Sequence, residues 1–342
     1  RKFITHEEAA MIKVKHPEHI AIHILLIIGS IFMLFPFVWM ITTSVKGEDE
    51  ILNSSKSIVI LPDSLRPDFL NSDEDRQRIA KREEREKAYY DEMAKPVEQR
   101  NPKVKKPFNF FDNYREAWTA QQGSGKDPWY LQPFGRYFLN TLFVTITVTA
   151  GSLFFASMSA YAFAFFKFPF KDTIFMMMLG TMMIPQQALL IPNYIFLAKL
   201  DWINTYMALI VPWLASAYSV FFLRQFFLQL PKDLFEAATI DGCSRFQFYY
   251  KVVLPLSKPP MVTLGIFSFL ANWNSFVWPL IVTNDTNMRV IQVGLSYFSS
   301  EAGTKWGPLM AASTFTILPL VIMYFLAQKQ FVESQATTGM KE

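Results

Sequence analysis

The chain has a single cysteine, Cys243, in 342 residues, so it cannot form an internal disulfide or a paired-cysteine metal site. Histidine is nearly as scarce. His6, His16, His19 and His23 all precede residue 24, which leaves none for a catalytic triad or a metal cluster further along. The net charge of +4 is small and dispersed, and it gives no sign of nucleic-acid binding. Charge is also absent from most of the sequence. Residues 46–136 hold 17 of the 33 Lys and Arg and 17 of the 29 Asp and Glu, while the other 251 residues carry 28 charges. What fills those 251 residues is apolar: the chain is 51% hydrophobic and 16% aromatic, with 34 Phe and 16 Met. Collagen, coiled coil and global disorder do not have this composition.

Six stretches contain no Lys, Arg, Asp or Glu: 19–45, 137–166, 173–198, 202–223, 259–284 and 306–328. Each exceeds the roughly 20 apolar residues that cross a bilayer core as a helix. In lipid the backbone must pair within its own segment, so helix is the expected conformation. A soluble helical protein does not carry six such windows. The first window follows Lys13 and Lys15 and so resembles a signal peptide. Its apolar run is too long for one, and no small-residue cleavage site precedes Thr42-Thr43-Ser44, so it reads as a retained span.

The expected fold is therefore an all-α polytopic membrane protein with six transmembrane helices. Its parts are an N-terminal segment 1–18, helix 1 at 19–45, a charged insertion at 46–136, a five-helix core at 137–328 and a tail at 329–342. Basic residues in short loops set the orientation. Lys167, Lys171, Arg224, Lys232, Arg245, Lys251 and Lys258 lie on one side, against Lys199, Arg289 and Lys305 on the other. This places both termini in the cytoplasm and the insertion outside.

Within the insertion, residues 70–95 read as a charged helix with Glu74–Arg78, Glu83–Lys87 and Asp91–Lys95 at i,i+4. It is either a solvated helix or a docking surface for an external partner. Pro96, Pro102 and Pro107 end the pattern. Gly123-Ser124-Gly125-Lys126 imitates a phosphate-binding loop, but Ala120 and Asp127 stand where that motif requires Gly and Ser or Thr. The windows also hold Pro185, Pro192, Pro212, Pro279 and Pro319, with Asn140, Gln186, Gln187, Asn193, Asn204, Asn272 and Asn274. These polar residues either bond helix to helix or line a path for a neutral, hydroxyl-rich solute. With no Asp, Glu, Lys or Arg inside a window, proton relay and voltage sensing lose their usual material.

The most informative segment lies between windows four and five, at 229–258. Pro231 suits a first helical turn, and Asp233 sits near that helix's positive end. Gly242 suits a left-handed stop, and Ser244 with Gln247 forms a capping box for a second helix that Leu254-Pro255 ends. Two short helices meeting at a glycine elbow form either an interfacial loop or a lever that enters a cytoplasmic partner.

Glu236-Ala237-Ala238, then Gly242, then Val252-Val253-Leu254-Pro255 resembles the EAA signature of permease subunits of binding-protein-dependent ABC importers, with Val252 where Ile is usual. Asn272-Trp273-Asn274-Ser275-Phe276-Val277-Trp278-Pro279-Leu280 resembles the carbohydrate branch, as do Asn204-Thr205-Tyr206 and Gln328-Lys329-Gln330-Phe331-Val332. The chain is most similar to the smaller permease of maltose-type sugar importers. The resemblance implies an ABC importer permease fold in a bacterial or archaeal cytoplasmic membrane. It implies a solute that is a sugar, or alternatively a phosphorylated polyol.

It further implies that Glu236, Ala237, Ala238, Asp241, Gly242, Leu254 and Pro255 couple to an ATPase. Trp273, Asn274 and Trp278 are candidates to line or support the substrate pathway. The implied partners are a second homologous permease, two cytoplasmic ATPase subunits that hold ATP and Mg, an extracytoplasmic solute-binding protein and membrane lipid. No cofactor is expected on this chain, and the chain is not expected to be an enzyme. A self-contained transporter has no need of the loop at 229–258, and a membrane enzyme would want an acid, base or metal cluster. Two departures from the family stand out: the long insertion, and Ser334-Gln335 in the tail, where glycine and an apolar residue are usual.

Overall fold

The computed structural model describes residues 17–53, 61–67, 71–96, 99–101, 104, 106–119, 133–300 and 303–339. The segment 1–16, the phosphate-loop imitation and Pro102 lie outside them, as do the side chains of the tail. The helices are α1 (Pro17–Ser44), α2 (Glu48–Asn53), α3 (Asp73–Met93), α4 (Asp112–Thr119), α5 (Pro133–Phe165), α6 (Lys171–Thr181) and α7 (Leu190–Lys199). They continue as α8 (Tyr206–Ile210), α9 (Ala217–Leu228), α10 (Lys232–Ile240) and α11 (Arg245–Leu256). The last are α12 (Lys258–Trp273), α13 (Val277–Val282), α14 (Ile291–Ser296) and α15 (Trp306–Gly339). A two-residue hairpin, Ser299–Ser300 with Gly303–Thr304, is the sheet among the described residues.

Four stretches are long and apolar enough to cross a bilayer: Ile22–Ser44, Pro133–Phe165, Tyr206–Leu228 and Trp306–Leu326. Two further helix pairs are bent, Lys171–Thr181 with Gln186–Lys199 by 90° and Arg245–Leu256 with Lys258–Trp273 by 76°. Counting each bent pair as one span gives six. The 90° bend lies within the window at 173–198, whereas the 76° bend lies at Ser257, just ahead of the window at 259–284, which is itself interrupted further along. In the first, Pro185 closes the break, because a proline pushes the residue before it out of helical geometry. In the second, α12 stops at Asn274, whose side-chain amide folds back on the Leu270 carbonyl at 2.9 Å, and α13 resumes at Val277.

The chain forms two compact units. The first comprises residues 1–114 and 305–314. Here α3 starts at a capping box in which Ser72 and Asp75 exchange side-chain and backbone bonds. Arg78 makes a two-pronged pair with Asp63 (both 2.9 Å) and also reaches Asp75 at 2.6 Å. Arg66 joins Asp63 at 3.2 Å and Asp75 at 3.1 Å. The buried Glu50 carboxylate accepts the Asp63 backbone N–H at 2.9 Å. Burial, then the neighbouring Asp63, raises the Glu50 carboxyl above its ordinary value, and burial lowers the Lys46 amine. At the end of α1, the Asn113 amide donates to the Ser44 and Lys46 carbonyls. Gly307 gives that amide its room, since a Cβ there would lie 2.6 Å from the Asn113 side chain.

Removing Asp63 leaves the buried Arg66 and the half-buried Arg78 to share the single carboxylate of Asp75. The expected result for Asp63→Ala is a loss of about 3 kcal/mol from the insertion. Limited proteolysis of the full-length protein checks this, as faster cleavage within 46–114 and an unchanged rate in the core.

The second unit comprises residues 115–304 and 315–342, and it is built around α5. Helices α9, α12 and α14 pack on α5. The small residues Ala156 and Ala160, both fully buried, permit close approach. Two apolar clusters result. One gathers Tyr161, Leu223, Phe227, Phe248, Tyr249 and Val253, and the other Val148, Leu197, Leu209, Trp278 and Val282. Asn140 donates to the carbonyls of Asn287 and Arg289, and accepts from the Tyr206 hydroxyl. Asn204, left-handed at φ 64°, accepts the backbone N–H groups of Asn284 and Asp285. Asn140 ties a loop to α5 and Asn204 ties two loops together, whereas Gln186, Gln187 and Asn193 are exposed.

Candidate functional site

The segment 229–258 folds as two helices with a locked elbow. Pro231 precedes the first turn of α10, which carries Asp233. Three bonds close its end: Asp241 N–H to Ala237 O, Gly242 N–H to Thr239 O and Cys243 N–H to Ala238 O, at 2.9, 3.1 and 2.9 Å. The last two, with Gly242 at φ 72°, form the Schellman stop that requires a left-handed residue. Two residues on, Ser244 and Gln247 exchange capping-box bonds at 2.8 and 3.2 Å and open α11. The backbone at the elbow is thus satisfied without outside help, which fixes the angle between the helices. Pro255 does not stop α11 where the sequence reading places its end. The helix widens into a π turn over Tyr249–Val253 and runs one residue further, to Leu256. A proline ring clashes with the carbonyl four residues back, and a wider turn relieves that clash.

Aromatic rings seat the elbow. Phe235 of α10, Phe165 of α5 and Phe248 of α11 form a triangle with centroids 5.1–6.0 Å apart. Ala238 and Leu254 pack against the same cluster. Glu236, Ala237, Asp241, Gly242 and Pro255 are exposed. Beside them stand two large apolar side chains, Ile240 at 86% exposure and Phe246 at 65%. The outer face is therefore acidic and apolar together, and the isolated chain leaves it bare. The sequence reading missed Phe235, Ile240 and Phe246. Their signal was the interval of three between Phe235 and Ala238, which puts both on one helical face and leaves Ile240 on another.

The three pathway candidates separate. Trp273 is fully buried; its indole N–H donates to Thr316 O at 3.0 Å, and its ring lies between Phe269 and Phe138. Trp278 is also buried, donates to Ala208 O at 2.9 Å and meets Trp213 edge-on. Between them, Asn274 is exposed and accepts a 3.3 Å bond from the Gln292 amide. The tryptophans anchor the two sides of the helix break, and the asparagine stands open at it. Gln292 was not foreseen. Among the described residues no group of three His, Cys, Asp or Glu could hold a metal ion.

Apolar helices packed on the long α5, with an elbow-locked loop after α9, define the permease subunit of an ABC importer, a transport subunit rather than an enzyme. The chain belongs to the family of binding-protein-dependent transport system inner membrane components, whose model matches residues 152–335. The sn-glycerol-3-phosphate transport system permease protein UgpE of Pectobacterium atrosepticum is 35% identical over 226 residues, covering 66% of this chain and 79% of that protein. The arabinooligosaccharides transport system permease protein AraQ of Halalkalibacterium halodurans is 36% identical over 205 residues, 60% of this chain and 74% of that one. The fold is similar to a solved bacterial ABC transporter involved in the import of the acidic polysaccharide alginate. The TM-score is 0.67 at 18% identity, over 96% of this chain and 99% of that chain. Membership of the family implies a second permease, an ATPase and a solute-binding protein as partners.

Proposed function

We propose that this chain is one half of a permease heterodimer that imports a sugar, a di- or oligosaccharide, across the cytoplasmic membrane. Two cytoplasmic ATPase subunits, which hold the ATP and Mg, drive it through α10. In this arrangement the termini are cytoplasmic, the insertion at 46–136 lies outside toward the binding protein, and α10 is the coupling helix. The observation that carries the proposal is the bare outer face of α10 beside a rigid elbow. Glu236 offers one anionic contact to a basic residue of the ATPase, and Ile240 an apolar anchor. Asp241 and Gly242 hold the angle, while Ala237 and Ala238 keep the helix slim.

A second solute class, a phosphorylated polyol, is favoured by the likeness to UgpE. Screening the co-purified binding protein against both classes decides between them. Weighing the intact complex by mass spectrometry tests the assembly. One second permease and two ATPase copies support it, and a lone chain that transports solute in liposomes without an ATPase contradicts it.

In this proposal Asn274 faces the solute at the break in the fifth span, and Trp273 and Trp278 hold the break open from either side. Asn274→Ala should slow solute uptake by about threefold, the loss of one hydrogen bond, with an unchanged melting temperature. Wild-type uptake by this variant would remove Asn274 from the pathway.

A further inference from the structure

Two polar contacts cross the apolar cluster beneath the elbow, one helical turn apart. Tyr249 of α11 lies 2.7 Å from Ser157 of α5, hydroxyl to hydroxyl, and both are buried. Ser157 also donates to the Phe154 carbonyl at 2.9 Å. Each hydroxyl has one hydrogen, so the chain of donors runs from Tyr249 to Ser157 to the α5 backbone. Four residues along α5, the Tyr161 hydroxyl donates to the carbonyl of Arg245, four residues back along α11, at 2.8 Å. The two tyrosine rings lie 5.1 Å apart. These are two rungs of one antiparallel ladder, and apolar side chains surround them: Ala156, Ala160, Phe248, Val253 and Leu264.

Apolar contacts alone let one helix slide on another, because they have no preferred register. Hydrogen bonds in an apolar surround do have one, since sliding leaves their polar groups unpaired. Tyr249 is also the first residue of the π turn, and Leu254 N–H reaches back to its carbonyl. The upper rung therefore sits where α11 changes register ahead of Pro255. We infer that the Ser157–Tyr249 and Tyr161–Arg245 contacts form a latch that passes movement of the coupling loop to α5, which makes Tyr249 and Tyr161 positioning residues for transport. This rests on the proposed coupling role of α10. Without the latch, α10 still docks and the ATPase still turns over, but α11 slips on α5 and the stroke is lost.

The test uses the whole complex in proteoliposomes and reads solute moved per ATP hydrolysed. Tyr161→Phe with Tyr249→Phe removes both rungs and keeps the rings. It orphans nothing essential, because Ser157 keeps Phe154 and the Arg245 carbonyl keeps the Tyr249 N–H. The expected result is normal assembly, normal ATP hydrolysis and an about fivefold fall in solute per ATP. Tyr249→Phe alone should show a smaller fall, and Ser157→Thr, which keeps the hydroxyl, a wild-type ratio. A wild-type ratio in the double variant, alongside a defective Gly242→Pro, overturns the latch and leaves the coupling role standing. A wild-type ratio in both overturns the latch together with the coupling role beneath it.

Discussion

Replacing Gly242 with proline is expected to abolish solute-coupled ATP hydrolysis while the protein still inserts in the membrane and assembles with a second permease. Three physical effects combine at this position. The native φ is 72°, and a proline ring holds φ near −65°, so the chain must leave α10 in another direction. The Gly242 N–H that bonds Thr239 O is removed. Asp241, now before a proline, is pushed from its near-helical conformation. The elbow angle therefore changes, and Glu236 and Ile240 no longer face where α11 and the Phe165–Phe235–Phe248 triangle aim them. A Cβ at 242 meets nothing within 4 Å, so crowding is not the cause. Gly242→Asn is the informative control, because asparagine tolerates the left-handed region. It should retain most of the activity, and equal loss in both variants would mean that the elbow angle is not what matters.

Trp273→Ala removes the largest side chain that is fully buried among the described residues. It costs the stacking on Phe269, the edge contact of Phe138 and the bond to Thr316 O. The expected destabilisation is about 3–5 kcal/mol, the range for emptying a large aromatic site. It should appear as a lower melting temperature in detergent and a poor yield of assembled complex. Trp273→Phe, which keeps the ring and loses the N–H bond, should recover most of the yield. If Trp273→Ala melts like wild type but fails in uptake, the tryptophan touches solute instead of holding the break.

These neighbours show where sequence reasoning stops. Trp273 and Asn274 stand side by side in one signature and read alike as pathway candidates. On a helix they point about 100° apart, and only the tertiary contacts reveal which is buried. Short-range features were far more legible. The Schellman stop at Gly242 and the capping box at Ser244 and Gln247 depend on residues within five positions, so their chemistry is written locally. The charge-free windows coincide with helices because lipid allows few alternatives. The 90° bend at 182–185, the 76° bend at Ser257 and the interruption at 274–276 have no angle written in the sequence, since proline and asparagine mark weak points without setting one. The network of Arg66, Arg78, Asp63 and Asp75 was legible only as a charged helix, because Asp63 lies fifteen residues from Arg78. The Ser157–Tyr249 contact spans 92 positions, and nothing local announces it.

A photo-crosslinking benzophenone side chain placed at Ile240, which is 86% exposed, tests the coupling role most directly. Illumination in native membranes, followed by mass spectrometry of the adduct, should give a covalent product with a cytoplasmic ATPase subunit. The same group at Asn284, exposed at the far end of the fifth span, should give none. Adducts at Ile240 confined to lipid or to this chain, in membranes where the ATPase is present and active, would contradict the coupling role of α10.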